Sequence, residues 1–248
     1  MAIRLTTYED SRNIPDLPGT NIFHSTALFR VLEQTPGYHP ILLVASEAGK
    51  PIGKLLCITR YNFRMFHFIR KTYVYGTGEY FSSRYKREEI FNEMLSYFTS
   101  RLGNDSFLIE FRNLEEPLFG YKYFRKNHYF PVKWLRVRNS IHHATIDKWM
   151  SPSRKRQIAR GLQNGATMET AKSTEEVTEF FKMLKKYYSH KIYRYLPDLN
   201  FFLHLQAHPE QQHYGNIFLI RYKHKIIGGA VCLYSGDTAY LIFSGGMR

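Results

Sequence analysis

Apolar residues recur along the chain at two spacings, which together predict strands and helices in a mixed order. Alternating or continuous apolar runs predict strands, and apolar residues three or four apart predict amphipathic helices. In the first half, the predicted strands cover residues 3–7, 39–45, 52–60, 71–75, 107–111 and 132–137, and the predicted helices cover 25–34, 86–102 and 120–126. The helix at 86–102 is the strongest of these, because its large apolar residues share one face.

The second half begins with a helix whose two ends are marked by the residues found there. Ser151 is a favourable N-cap, Pro152 suits the first helical position, and Asn164-Gly165 predicts the end of the helix. Ser173 and Glu176 have the spacing of a capping box, which predicts the start of the next helix. The remaining predicted elements are a helix at 199–207 and strands at 167–170, 216–221, 226–234 and 239–243.

The order helix, hairpin, strand, helix and strand in the first half largely recurs in the second. The hairpins that start at Ile41 and Ile217 both carry Ile-Gly near the start of their second strand. This recurrence predicts an α/β (α+β) chain built as a tandem repeat. We place a first domain at residues 1–145 and a second, partial domain at residues 146–248.

The composition excludes several classes of protein. Of 248 residues, 44% are hydrophobic and 16% aromatic, which suits a packed core and excludes a disordered chain. Charges interrupt every apolar run before the ~20 residues of a membrane span are reached. The N-terminus lacks the apolar core of a signal peptide, and Cys57 and Cys232 are too few for a disulfide framework. We therefore expect a cytoplasmic protein without a transmembrane segment.

The net charge of +14 arises from 35 Lys and Arg residues against 21 Asp and Glu residues. Three tracts, 48–78, 119–138 and 180–197, carry many cations and no acid. Such an excess attracts polyanions such as RNA, nucleotide diphosphates or an anionic membrane surface. The alternative is a solvated basic face that has no ligand.

Several segments resemble a known family. The stretch Phe23–Phe29 followed by Gly37–Pro40 resembles the start of the Fem aminoacyltransferases (FemA/FemB/FemX) and of the related BioF2-like acetyltransferase group. The basic run Arg154–Arg160 followed by Gly165 resembles the helix that opens the second unit of that family. The segment 217–245 resembles the central hairpin and following strand of that unit. The resemblance is diffuse and covers nearly the whole chain.

This resemblance implies a GNAT-like mixed sheet flanked by helices, duplicated in tandem. It also implies an acyl or aminoacyl transferase that acts on the amino group of a nucleotide- or lipid-linked precursor of a cell wall or surface polymer. In the family the second unit continues past the strand that ends at Phe243. We therefore expect an incomplete second copy here, with an uncovered strand edge through which the chain self-associates.

Two other functions stay open at this stage. One is a non-catalytic RNA- or anion-binding module, or a remnant of a transferase. The other is an acetyl-CoA-dependent N-acetyltransferase whose CoA site lies beyond Arg248. The Gln157–Gly161 string fails the GNAT pyrophosphate-loop pattern in both glycine spacing and context. We therefore expect no permanently bound cofactor and favour aminoacyl-tRNA over acyl-CoA as the donor.

The basic helix at 152–163 is the leading candidate for binding substrate phosphate. Arg154 and Arg156 lie near the helix N-terminus and Arg160 lies one turn beyond Arg156; guanidinium groups and a helix N-terminus both suit phosphate. Helical geometry places Arg156 and Arg160 opposite Ile158 and Leu162, so we expect the helix to dock through its apolar pair. The alternative is an ordinary exposed basic helix.

Other candidate residues are more weakly indicated. Lys185 and Arg194 lie in a tract where cations and tyrosines alternate, a pattern that suits stacking on bases and neutralising phosphates. Glu79 and Glu110 are candidates for a general base, with a local ion pair or a turn residue as the alternative for each. His204 and His208 lie four residues apart on a predicted helix, but no Glu follows His204 and neither cysteine is in range, so we predict no metal site.

Overall fold

The computed structural model describes residues 2–63, 66–102, 106–114, 116, 118–133, 137–140, 142, 145–189, 195–207 and 214–247. These residues form a mixed α/β fold with two sheets. The first sheet contains β1 (Arg4–Tyr8), β2 (Tyr38–Glu47), β3 (Lys50–Phe63), β4 (Phe66–Tyr75), β5 (Glu79–Tyr80) and β6 (Leu108–Arg112). The second contains β7 (Thr167–Thr170), β8 (Gly215–Tyr222), β9 (Lys225–Ser235) and β10 (Thr238–Gly246).

Seven α-helices connect these strands in the described part of the chain. They are α1 (Thr26–Glu33), α2 (Arg87–Leu102), α3 (Tyr121–Lys126), α4 (Ile146–Trp149), α5 (Pro152–Gln163), α6 (Thr174–Tyr187) and α7 (Leu199–Ala207). The predicted caps are confirmed. The Ser25 hydroxyl accepts from the Leu28 amide, the Ser151 hydroxyl accepts from the Arg154 amide, and Ser173 and Glu176 form the capping box.

The strand order of the first sheet is β1-β2-β3-β4-β6, with β5 also paired to β3. Neighbouring strands are antiparallel except β4 and β6, which pair in parallel from Lys71 opposite Leu108 to Tyr75 opposite Arg112. A parallel pair needs a long crossover, and helix α2 supplies it here. The carboxyl ends of β4 and β6 therefore lie side by side at one edge of the sheet, where ligands commonly bind in mixed sheets.

The second sheet is an antiparallel meander in the order β10-β9-β8-β7. Its buried side chains, among them Ile217, Leu219 and Val231, belong to one apolar core together with Phe180 and Phe202 of the helices. Strand β10 forms one edge of this sheet in the described part of the chain. Self-association through that edge stays a prediction.

The apolar core is divided by the first sheet. One cluster packs between this sheet and α2, around Leu55, Cys57 and Met94. The larger cluster lies on the opposite face and includes Leu56 and Ile58 of β3 together with the second sheet and α1, α6 and α7. The proposed boundary at 145/146 falls between the two sheets, and the separation into two domains stays a prediction.

Two predictions of local structure differ from the observed fold. Helix α5 forms as predicted, but 43% of Ile158 and 59% of Leu162 are exposed, so the helix does not dock through its apolar pair. The pattern identified the apolar face correctly but carried no information on whether a partner covers it. Residues 132, 133 and 137 of the predicted strand lie outside any regular element, and 134–136 lie outside the described residues.

Close packing of α6 on the second sheet requires a glycine at position 229. A Cβ atom at Gly229 would lie 2.4 Å from the Phe218 carbonyl oxygen and 2.7 Å from the Phe180 ring. We expect Gly229→Ala to lower the free energy of unfolding by about 1–3 kcal/mol through overpacking. The measurement is urea denaturation monitored by circular dichroism.

Gly161→Ala is the matched control, because a Cβ atom there would have no neighbour within 4 Å and Gly161 lies inside α5. Alanine favours a helix over glycine by up to about 1 kcal/mol, so this variant should be neutral or slightly more stable. Equal losses in the two variants would contradict the packing argument.

Candidate functional site

A cleft opens beyond the carboxyl end of β4, between the two sheets. Its main cavity has a volume of about 320 Å³ and is lined by Thr77 and Gly78 after β4, Arg87 at the start of α2, and Ser235 and Gly236 in the turn between β9 and β10. A smaller recess adjoins it, and Tyr75 and Tyr240 line that recess. Both sheets therefore contribute to the walls of the cleft.

A buried ion pair anchors the loop that forms one wall of this cleft. The Lys54 ammonium lies 3.1 Å from Oε2 of Glu79 and donates to the Pro18 carbonyl at 2.7 Å. Oε1 of Glu79 accepts from the backbone amides of Thr20 and Asn21 at 2.7 and 3.0 Å. These contacts join residues 18–21 to the segment after β4, although the two segments are far apart in the sequence.

A buried histidine, His24, lies between β3 and the segment after β4. The ring nitrogens of His24 lie 3.1 Å from the amide nitrogens of Leu56 and Gly78. Complete burial, together with the nearby Lys54 charge, lowers the pKa of His24 to about 3, so the ring is neutral at pH 7. A neutral imidazole has one nitrogen lone pair in its plane, so one of these two amides can donate to it at a time. His24 thus has a structural role: it holds the segment after β4, which lines the cleft, close to β3.

A carboxylate flanked by two cations lies on the face of the first sheet that turns toward the second. Glu110 is bound by Lys71 and by Arg112, each at 2.8 Å. Partial burial alone would raise the pKa of Glu110, but the hydrogen bonds from Arg112 and Lys71 outweigh it and hold the pKa below its ordinary value. Glu110 is therefore ionised at neutral pH.

Tyrosines surround these cations. Nη1 of Arg112 donates to the Tyr75 hydroxyl at 2.9 Å, and its guanidinium lies about 5 Å from the ring centroids of Tyr73 and Tyr75. On β3, which pairs with β4, the Arg60 guanidinium lies 3.3 Å from the ring centroid of Tyr195. Such cation–π contacts fix the guanidinium planes. Arg60 and Tyr73 are themselves buried. The half-buried Lys71, Arg112 and Tyr75 therefore form the accessible part of this group, and its positive charge suits phosphate or carboxylate groups.

The structure separates the residues that the sequence nominated. Glu79 lines the main cavity, and Glu110 lies on β6 beside Arg112; both form ion pairs, and the role of general base stays a prediction for each. Arg154, Arg156 and Arg160 are exposed on α5 and line neither cavity. Lys185 is exposed on α6. Arg194 lies outside the described residues. Phosphate binding by these five cations also stays a prediction.

Several residues in or near the cleft were not found from the sequence. Lys71, Tyr73 and Tyr75 occupy every second position of β4, so they share one face of the sheet. This two-residue spacing could have been recognised in the sequence. Their proximity to Arg112 depends on the parallel pairing of β4 with β6, which no local pattern indicates. Arg87 reaches the cleft only because α2 crosses between those strands.

No helix in the described part of the chain is both long and apolar enough to cross a membrane. No group of three or more His, Cys, Asp or Glu side chains in that part of the chain is arranged to hold a metal ion.

The comparisons with known proteins rest on structure. No protein-family model and no curated protein matches the sequence. The crystal structure of FemX has a TM-score of 0.58 at 10% identity, over 93% of this chain and 76% of FemX. A ribosomal-protein-alanine N-acetyltransferase from Brucella melitensis biovar Abortus 2308 has a TM-score of 0.37 at 11% identity, over 56% of this chain and 100% of that one.

An aminoglycoside acetyltransferase from an uncultured soil metagenomic sample, in complex with sisomicin, has a TM-score of 0.34 at 9% identity. That match covers 58% of this chain and 97% of the acetyltransferase. The similarity to FemX extends over nearly the whole chain and confirms the predicted fold class, a mixed sheet flanked by helices. At 10% identity it establishes the fold alone.

Proposed function

We propose that this protein is a Fem-like acyltransferase that transfers an acyl or aminoacyl group to an amine. The observation that carries the proposal is the ionised Glu110, bound between Lys71 and Arg112. Glu110 lines neither cavity, but Arg112 donates to the hydroxyl of Tyr75, which lines the recess of the cleft. The FemX-like fold over 93% of the chain supports the same reaction class.

The chemistry requires little beyond position and proton removal. The amine of the acceptor attacks the carbonyl carbon of an activated ester. The new C–N bond forms, the ester C–O bond breaks, and the proton that the amine loses passes by way of Glu110 to the departing oxygen, which leaves as a hydroxyl. In this proposal Glu110 binds the acceptor amine and relays that proton, while Lys71 and Arg112 hold the carboxylate in position.

We propose a nucleotide- or lipid-linked precursor of a cell wall or surface polymer as the acceptor and aminoacyl-tRNA as the donor, in the cytoplasm. Arg112, with Tyr75 beside it, suits the charged groups of the acceptor. Arg154, Arg156, Arg160, Lys185 and Arg194 are the proposed phosphate contacts, within a second domain proposed at 146–248.

The test is a transfer assay with labelled donors. The purified protein is incubated with a mixture of labelled aminoacyl-tRNAs or with labelled acetyl-CoA, and with a nucleotide-linked peptide that carries a free amine. We expect label from aminoacyl-tRNA to appear in an amide of the acceptor. Label from acetyl-CoA alone would support the N-acetyltransferase alternative, and no transfer from either donor would support a binding module or remnant.

Binding of tRNA tests the donor separately. We expect tRNA to bind more tightly than duplex DNA, and Arg156→Ala/Arg160→Ala to weaken tRNA binding about tenfold, because each arginine contributes a charge-assisted contact to phosphate. The measurement is fluorescence anisotropy at several salt concentrations. Lys50→Ala/Lys225→Ala, two exposed cations at the starts of β3 and β9, is the control pair. Equal weakening by both pairs, with no preference over DNA, would indicate only a general field of positive charge.

A further inference from the structure

Helix α5 is amphipathic, and its apolar face is uncovered. Ile158 and Leu162 lie one turn apart and are 43% and 59% exposed. Every residue from Pro152 to Arg160 is exposed as well. A helix of 12 residues is marginal in water without packing partners. The helix would therefore gain stability from any surface that covers its apolar face.

The charged residues of α5 are arranged around this face in two groups. At 100° per residue, Arg154 and Lys155 flank Ile158 at about 40° and 60° on either side. Arg156 and Arg160 point the opposite way. Flanking cations with long aliphatic stems can keep their charged ends in water while the apolar residues between them are buried.

The surrounding sequence has the same combination of positive charge and exposed apolar surface. Between residues 117 and 168 there is one acid, Asp147, against eleven cations: Lys122, Arg125, Lys126, Lys133, Arg136, Arg138, Lys148, Arg154, Lys155, Arg156 and Arg160. The apolar side chains of this stretch that are strongly exposed outside α5 include Phe130, Val132, Val137 and Trp149. The charge selects an anionic partner.

The kind of side chain favours lipid over nucleic acid. Proteins bind single-stranded RNA by stacking bases on aromatic rings and by neutralising phosphates. Phe130 and Trp149 suit either partner, because aromatic rings stack on bases and also lie at bilayer interfaces. Ile158, Leu162, Val132 and Val137 decide between the two, because they are aliphatic, offer no ring for stacking and are stabilised only by removal from water. The interface of an anionic bilayer satisfies both needs, because phosphates lie directly above acyl chains.

We propose that α5 and Trp149 bind the surface of an anionic lipid bilayer. Ile158 and Leu162 enter the boundary between headgroups and acyl chains, and Arg154 and Lys155 contact the lipid phosphates. Arg156 and Arg160 face away from the bilayer. This inference does not depend on the proposed transfer reaction.

Flotation with vesicles tests the proposal. We expect the protein to bind phosphatidylcholine vesicles that contain about 30 mol% phosphatidylglycerol, and not pure phosphatidylcholine. Ile158→Ser/Leu162→Ser should lower the partition coefficient about tenfold or more, since two apolar side chains no longer leave water. Leu241→Ser, at an equally exposed position on β10, is the matched control and should bind like the parent protein. Melting curves of all variants verify that they are folded.

Trp149 provides a second readout. The chain has two tryptophans, so in Trp134→Phe the tryptophan fluorescence comes from Trp149 only. We expect this emission to shift to shorter wavelength on addition of anionic vesicles and to stay unchanged with neutral ones. An unchanged spectrum with anionic vesicles would overturn the placement of Trp149 and α5 at the bilayer.

Two further results would overturn the proposal. If Ile158→Ser/Leu162→Ser binds anionic vesicles as tightly as the parent, the attraction is electrostatic only. If vesicles do not bind, and RNA binding instead depends on Ile158 and Leu162, nucleic acid covers this face. Neither result bears on the transfer assay, which uses no vesicles.

Discussion

Replacing Lys54 by methionine is expected to lower the free energy of unfolding by about 3–5 kcal/mol. Lys54 is only 3% exposed and is bound to Glu79 and to the Pro18 carbonyl. Methionine fills much of the same space, but it leaves the Glu79 carboxylate without its cation in a buried position. A buried charge that loses its partner retains its desolvation penalty, which is the reason for the large effect.

A double-mutant cycle separates the interaction between the Lys54 and Glu79 charges from the packing of their aliphatic side-chain atoms. Glu79→Gln keeps an oxygen that can accept from Thr20 and Asn21, and Lys54→Met/Glu79→Gln removes both charges. We expect the double variant to be more stable than the sum of the single losses predicts, by about 1–3 kcal/mol, in urea denaturation. Lys50→Met, at the exposed start of β3, should change stability by less than about 0.5 kcal/mol. Additive losses would show that Lys54 and Glu79 do not interact.

The same pair connects stability to the cleft. Glu79 holds residues 20 and 21, and His24 contacts the amide of Gly78, so the loop after β4 is fixed from two sides. Thr20, Asn21 and Gly78 all line the main cavity. Both neutral groups and paired charges position the backbone here. Two other acids are open to solvent in this region: Glu116 lines the main cavity and is exposed, and Glu110 is partly exposed between Lys71 and Arg112.

The elements that depend on local chemistry were predicted from the sequence. Ser25, Ser151 and the Ser173–Glu176 box start helices because they satisfy amides in the first turn, and those contacts span only a few residues. The hairpins β2–β3 and β8–β9 also depend on short-range turns. These features are confirmed because each one is determined within a short window of sequence.

The arrangement of the cleft could not be predicted in the same way. Glu79 accepts from the amides of Thr20 and Asn21, which lie 59 and 58 positions earlier in the chain. Tyr75 meets Arg112 because β4 and β6 pair in parallel, with the whole of α2 between them in the sequence. Patterns of two and 3.6 residues assign faces to strands and helices, but they do not say which faces meet. Helix α5 shows the same limit, since its apolar face was assigned correctly and its docking was not.

Glu110→Gln is expected to lower kcat/KM for acyl transfer about 100-fold. If Glu110 accepts the proton of the attacking amine, its loss removes a general base, and such groups contribute typically 10²–10⁴-fold. The stability should change little, because the side chain is partly exposed and such ion pairs are worth about 0–1 kcal/mol. The measurement is the initial rate of amide formation in the labelled-donor assay. Glu93→Gln, an exposed acid on α2, is the matched control and should retain full activity.

The pH profile distinguishes this role from a structural one. The pKa of Glu110 lies below its ordinary value of 4.5 because Arg112 and Lys71 stabilise the carboxylate, so the part of the rate that depends on Glu110 should persist below pH 4.5 and fall as pH drops through the lowered pKa. Lys71→Met removes one of the two cations and should move that acid limb to higher pH. A residue that only supports the fold would not shift the limb, and an unchanged profile in Lys71→Met would exclude proton transfer by Glu110. Because Lys71 and Arg112 hold the same carboxylate from two sides, each cation is expected to move the limb in the same direction.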